Sequence, residues 1–258
     1  MSPINDLPLA LRQSLMGRNA IKVISGLSNF DAALVEKVSR SASLGGADFI
    51  DIACEPSLVK LAIDVSDLPV CVSSVEPELF LAAVHAGASM IEIGNFDSFY
   101  PQGRFFDAQE VLELTSRTRQ ILPDTFLSVT VPHVLSLDSQ SKLALDLVKL
   151  GVDMIQTEGG ISSKALHPGS LGLIEKASPT LAATYTISKA LIDAGSKVPV
   201  ISASGLSEVT VPMSIAAGAS GVGVGSLINK LDDELAMIAT VKRLRESLSA
   251  LQKVRHSV

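Results

Sequence analysis

The chain has 258 residues, 47% of them hydrophobic and 19% charged, with a mean hydropathy of +0.39; such a composition argues against a disordered or fibrous chain and supplies a sizeable core. A net charge of −6 argues against a nucleic-acid footprint or a polybasic membrane patch, and 4% aromatics without Trp leave no stacking platform for bases. Two cysteines, Cys54 and Cys71, share neither a CxxC pair nor a metal-ligand spacing, which fits a reducing compartment.

The N-terminal segment carries no apolar stretch of signal-peptide length, and its periodic Leu7, Leu11 and Leu15 predict a short amphipathic helix. Strand-like runs then follow at Ala20–Gly26, Asp48–Ala53, Pro69–Ser73, Ser89–Gly94, Phe126–Val131, Asp153–Glu158, Pro199–Ser204 and Gly221–Gly225. Helical patterns occupy 29–44, 56–66, 77–86, 107–121, 138–150, 170–194, 207–217 and 230–252, and Pro179 divides the longest of them. The uncharged stretch 209–228 is long enough for a membrane span, but Pro212 and four glycines split it into helix, turn and strand.

Alternating strands and helices imply a parallel sheet, and eight such units without a linker predict one (β/α)8 barrel, a TIM barrel, over residues 1–258. A doubly wound open sheet is the alternative. A repeat favours the barrel: GADFID (46–51), GASMIE (87–92), GVDMIQ (151–156) and GASGVG (218–223) each place a helix-stopping Gly before an even-numbered strand in the same register. Asp51, Glu92, Gln156 and Gly223 then occupy equivalent positions. Because the residues beside them are branched aliphatics suited to packing under helices, Asp51, Glu92 and Gln156 are expected to point inward. Lys22, Ser73, Thr130, Ser202 and Ser204 on the odd strands are expected to join them and make the lumen polar.

The two C-terminal turns, SASG and GVGVGS, nominate Gly205, Gly225 and Ser226 as a phosphate cradle, where glycines and a helix N-terminus bring N–H groups to an anion. Gly159 and Gly160 in TEGGIS are candidates for the same rim. Lys22, which needs a partner if buried, pairs naturally with Asp51; Glu92, Glu158 and His133 complete a set of candidate acid–base groups. The long loop 94–107 offers Asn95, Asp97 and Arg104 to a substrate. His85, His167 and His256 have no ligand-like spacing, so no metal site is expected, and none of the P-loop, GxSxG or HExxH motifs occurs.

KVISGLSNFD (22–31), ADFIDIA (47–53), PVCVSS (69–74), EIGNFDSFYPQG (92–103), VTVPH (129–133) and MIQTEGG (154–160) together resemble the Ycf23 family of cyanobacteria and algal plastids, also called DUF561. The resemblance covers essentially the whole chain. It implies an aldolase-type barrel in a cyanobacterial cytosol or plastid stroma and implies no reaction. From the residues, the expected function is a lyase, aldolase or isomerase step on a small phosphorylated carbonyl metabolite, with Lys22 and carboxylates at the barrel mouth. An FMN-dependent oxidoreductase and a non-catalytic metabolite-binding regulator are the alternatives. A homodimer is compatible with the hydrophobic composition; neither nucleic acid nor a membrane is expected as a partner.

Overall fold

Eight parallel strands close a barrel in chain order in the computed structural model, which describes residues 3–159 and 164–255. They are β1 (Ala20–Gly26), β2 (Phe49–Ala53), β3 (Val70–Ser74), β4 (Met90–Ile93), β5 (Phe126–Val131), β6 (Met154–Thr157), β7 (Val200–Ala203) and β8 (Gly221–Val224). A first helix, α1 (Leu9–Met16), precedes the barrel. The connections carry α2 (Ala32–Gly45), α3 (Pro56–Val65), α4 (Phe80–His85), α5 (Ala108–Ile121), α6 (Leu137–Lys149), α7 (Gly169–Asp193) and α8 (Val211–Ala216). The short α9 (Ser226–Asn229) and the long α10 (Glu234–Arg255) follow β8. This is the TIM barrel expected from the alternating pattern, and the open-sheet alternative falls with the β1–β8 pairing.

The repeated glycine explains the shared register. Gly46, Gly87, Gly151 and Gly218 all adopt positive φ, so each helix stops in a left-handed residue and the next strand starts at a fixed offset. From there the side chains alternate. Ile21, Val23, Ile50, Ile52, Ile91, Ile93, Leu127, Val129, Ile155 and Val222 pack outward with the helices in the main core. A second cluster forms from Ala20, Phe49, Cys71, Met90, Phe126, Met154 and Ile201, and α1 seals it with Leu7, Leu11 and Leu15. The amphipathic helix read from those leucines is therefore a plug on the lower lumen.

Two expectations are corrected. Pro179 does not divide α7: Ala177 and Thr180 beside it, and Ala183, Thr184, Ile187 and Leu191 beyond it, are all buried, so packing holds the helix together where propensity would break it. Ser202 turns outward, accepting from Thr184 Oγ1 at 2.9 Å and donating to Ser214 Oγ at 3.1 Å, and Ala203 takes the lumen side. The 209–228 stretch, by contrast, forms the helix and strand expected of it, α8 and β8, followed by α9, and among the described residues no helix is long and apolar enough to cross a membrane.

Candidate functional site

Just above the apolar plug lies a ring of buried polar side chains. The Lys22 ammonium donates to Glu92 Oε2 at 2.7 Å and Gln156 Oε1 at 2.9 Å, and lies 3.2 Å from Asp51 Oδ2. An ammonium has three hydrogens, and here three acceptors meet them. The carboxylates are equally occupied. Ser73 donates to Asp51 Oδ1 at 2.6 Å; Ser128 donates to Glu92 Oε2 at 2.6 Å and Gln156 Nε2 to Glu92 Oε1 at 2.7 Å. Lys22, Asp51 and Glu92 have no solvent-exposed surface. Burial opposes the Lys22 charge, but Asp51 and Glu92 outweigh it and hold its pKa above the ordinary value; burial pushes the Glu92 carboxyl up against the pull of Lys22. The inward orientation of these residues is as the register predicts. Their placement at the mouth is corrected: Gln156 and Thr130 line the cavity above, and Lys22, Asp51 and Glu92 lie beneath it.

That cavity, of about 280 Å³, opens at the C-terminal ends of the strands. It exists because β8 presents only glycines to the lumen. A Cβ on Gly223 would meet Ala203 Cβ at 2.9 Å and Ile24 Cδ1 at 3.1 Å. Gly205, Gly225 and Ser226 line it, as the phosphate-turn reading requires. Gly225 is the N-cap of α9 and supplies no capping side chain, so the first N–H groups of that turn, at Ser226 and Leu227, have no intrahelical acceptor. On the other side, Gly205 packs under α7, where an added Cβ would meet the Lys176 carbonyl at 2.7 Å and Lys176 Cγ at 3.5 Å. Asn229 ties the rim together by donating to the Ile24 and Ser25 carbonyls, both at 3.0 Å, at the bulge that ends β1.

Two non-glycine residues with positive φ sit on this cavity: Asn95 (61°) and Ser204 (84°). Such conformations cost on the order of 1–3 kcal/mol and persist where the surroundings hold them. Asn95 is held by its amide, which donates to Asp51 Oδ2 at 3.1 Å and Ser73 Oγ at 3.0 Å. The turn delivers Asp97, whose backbone N–H donates to Glu158 Oε1 at 2.7 Å. Glu158, 4% exposed, also receives Tyr100 Oη at 2.8 Å and the His133 N–H at 3.1 Å, with His133 Nδ1 3.2 Å from the same oxygen. One carboxylate thus ties the β4 loop to the β5 loop across the mouth.

Asp97 differs from every other acid in the lumen. Its Oδ1 is buried without a hydrogen-bond partner, 3.6 Å from His133 Nδ1, while Oδ2 takes only a long 3.4 Å contact from Ser204. Burial first, and Glu158 second, push its pKa from 3.8 up to about 7, against the pull of His133. For His133, burial lowers the pKa, but the Glu158 hydrogen bond and the charges of Glu158 and Asp97 together outweigh it, and the imidazole pKa is raised. Asp97, His133 and Glu158 bring ligand-capable atoms within 4.8 Å of one another and could hold a cation, a set that linear His and Cys spacing could not show. The oxygens of Glu158 already receive the Asp97 and His133 backbone N–H groups, which weakens them as ligands.

The remaining candidates fall elsewhere. Arg104 turns away to pair with Glu110 and lies over the Phe106 ring, 4.1 Å from its centroid, so its role as a substrate clamp is not supported. Gly159 is a close-approach glycine, where a Cβ would fall 1.8 Å from Thr180 Oγ1, and it faces α7 rather than the cavity. Gly160 and His256 lie outside the described residues. Ser204 lines the cavity, on the lumen side as expected, and Asn229 is a site residue the sequence reading left without a role; the Asn after the glycine turn at 225 is the available signal.

Comparison with known proteins agrees with this architecture. A family model described as a protein of unknown function, DUF561, matches residues 6–254. An uncharacterised protein ycf23 from Cyanophora paradoxa is 46% identical over 225 residues, covering 87% of this chain and 90% of its own. Among solved structures, a 3-hexulose-6-phosphate synthase aligns with a TM-score of 0.60 at 19% identity over 88% of this chain and 99% of its own. A (S)-3-O-geranylgeranylglyceryl phosphate synthase from Thermoplasma acidophilum, in complex with its substrate sn-glycerol-1-phosphate, aligns with a TM-score of 0.60 at 14% identity, covering 95% of this chain and 100% of its own. At such identities the likeness is one of fold.

Proposed function

The chain belongs to the DUF561 family, and we propose that it is an enzyme that binds a small phosphorylated carbonyl compound and moves a proton on it, in a lyase, aldolase or isomerase step. One observation carries the reading: a single cavity is lined both by the Gly205 and Gly225–Ser226 turns and by Asp97. The phosphate sits against the Ser226 and Leu227 N–H groups, beside the Gly205 turn. Held there, the phosphate fixes the carbonyl end of the compound near Asp97, and its binding energy orients the reacting carbon.

Asp97, with a pKa of about 7, is the group able both to accept and to return a proton near neutral pH. Glu158 holds the loop, and burial together with Glu158 raises that pKa against the pull of His133. Lys22 supports the floor through Gln156 and Glu92. A Schiff base is the weaker version, because it needs a neutral, reachable amine, and Lys22 is buried, fully hydrogen-bonded and held protonated. Relatives among algae and two buried free cysteines favour a cyanobacterial cytosol or plastid stroma as the compartment.

Solvent exchange tests the reading. Dihydroxyacetone phosphate incubated with the protein in heavy water is expected to gain deuterium beside its carbonyl, detected by proton NMR. Asp97→Asn abolishes exchange and keeps the thermal shift caused by the compound; Ser226→Asp, which sets a carboxylate against the phosphate, removes both. Absorbance of the purified protein in the flavin bands would instead favour the FMN-dependent reading. Exchange that persists in Asp97→Asn would overturn the role of Asp97.

A further inference from the structure

The two side-chain amides that line the cavity at its rim, Asn95 after β4 and Asn229 at the end of α9, present acceptors to it. Asn95 commits both amide hydrogens to Asp51 and Ser73, and Asn229 commits both to the Ile24 and Ser25 carbonyls. What either amide has left for a ligand is its carbonyl oxygen. Asn229 Oδ1 and Asp97 Oδ1 are buried with no partner, and an unpaired buried acceptor is a standing demand for a donor. Gln156 answers none of it, since its amide hydrogens go to Glu92 and Thr130. The charged side chains among the described lining residues are Asp97 and Glu158; none is Lys, Arg or His.

We infer that the non-phosphate end of the ligand is hydroxylated and carries no carboxylate, so that the site takes a sugar or polyol phosphate rather than a phosphorylated acid. A hydroxyl donates to Asn95 Oδ1, and it pairs with Asp97 whether or not that carboxyl is protonated. A second anion on the ligand meets two carboxyl side chains at close range, and His133, the basic group beside them, lies outside the lining and is engaged by Glu158. This inference rests on the phosphate-binding reading above and adds to it the chemistry of the other end.

Calorimetric titration of the full chain at about pH 8, where Asp97 is mostly ionised, separates the two. Three probes are compared in EDTA: inorganic phosphate, glycerol 3-phosphate, and 3-phosphoglycerate, which has a carboxylate in place of one CH2OH. Glycerol 3-phosphate is expected to bind more tightly than inorganic phosphate and at least about tenfold more tightly than 3-phosphoglycerate. Asp97→Asn should narrow that gap by admitting the acid. If both esters bind equally, or the acid binds better, the inference falls and the phosphate reading stands. Tight binding of 3-phosphoglycerate only when Mg2+ replaces EDTA overturns it too, and assigns a bridging cation to Asp97, His133 and Glu158. If none of the three probes binds, the phosphate reading itself falls and takes the inference with it.

Discussion

The lumen holds two groups of charged side chains at different heights, and they are built on opposite terms. In the lower one, Lys22 has three acceptors for its three hydrogens, and Asp51 and Glu92 each receive further donors. In the upper one, Glu158 is saturated by donors, but Asp97 keeps a buried oxygen with no partner and a pKa of about 7. Buried charge is common to both; unmet hydrogen-bonding capacity belongs to the upper group. A saturated network specifies structure, whereas a strained and unsatisfied group beside a cavity is what a ligand can complete. The inward-pointing lysine looks the more chemical of the two in the sequence, whereas in the structure it is Asp97 above it that keeps an unmet oxygen.

The largest effect should come from breaking the lower group. Lys22→Met leaves two carboxyl groups buried without their cation, and loss of one partner of a buried ion pair costs about 3–5 kcal/mol. Urea denaturation should show that loss as a lower midpoint. Replacing the acids as well, in Lys22→Met with Asp51→Asn and Glu92→Gln, should restore most of the stability, because neutral groups carry no uncompensated charge. A single Lys22→Met variant as stable as the wild type would show that the acids are already protonated in the native state.

A smaller, pH-dependent effect sharpens the contrast from above. Asp97 has its folded pKa raised from 3.8 to about 7, so the native state retains a proton that the unfolded chain releases between those values. Stability from this group is therefore full below about pH 4, declines as the pH rises to about 7, and is flat beyond. One proton gives at most about 1.4 kcal/mol per pH unit, and its partial exposure, 30% of the side chain, reduces the total to about 1–3 kcal/mol. Asp97→Asn should remove this slope and be more stable than the wild type above neutrality. Parallel pH profiles of the two proteins, followed by urea midpoints, would place the unmet group elsewhere.

The sequence carried the barrel well because its information was local and repeated. Four glycines with positive φ mark the same step before β2, β4, β6 and β8, and alternation then sends Asp51, Glu92 and Gln156 inward. Height within the lumen is less local. That Lys22 lies under the cavity floor depends on strand stagger and on α1 filling the space below, neither of which is written in the residues around position 22. The site itself depends on loops. Asp97 reaches Glu158 only because Asn95 takes a left-handed turn, and Asp97, His133 and Glu158 are brought together by three separate strand ends. Alternation itself holds along β7, with Val200 and Ser202 outward and Ile201 and Ala203 inward; the expectation set that strand one residue out of step, because its serines read as lumen residues although Thr184 and Ser214 give Ser202 its hydroxyl partners on the helix side.

The smallest effect tests the edge of the upper group, within one loop. Tyr100 and Arg104 are four residues apart in the connection after β4, and both could have been offered to a ligand. Tyr100 faces inward and donates to Glu158 at 2.8 Å, with burial and that carboxylate raising its pKa. Arg104 faces outward, pairs with Glu110, and rests on Phe106 with its side chain 48% exposed. Exposed ion pairs contribute about 0–1 kcal/mol, and the guanidinium stem covers some aromatic surface besides. Arg104→Ala should thus lower stability by no more than about 1 kcal/mol and leave the affinity for inorganic phosphate unchanged. A tenfold loss of that affinity would mean that the guanidinium swings into the cavity when an anion binds, and would extend the upper group to a residue that the structure leaves outside it.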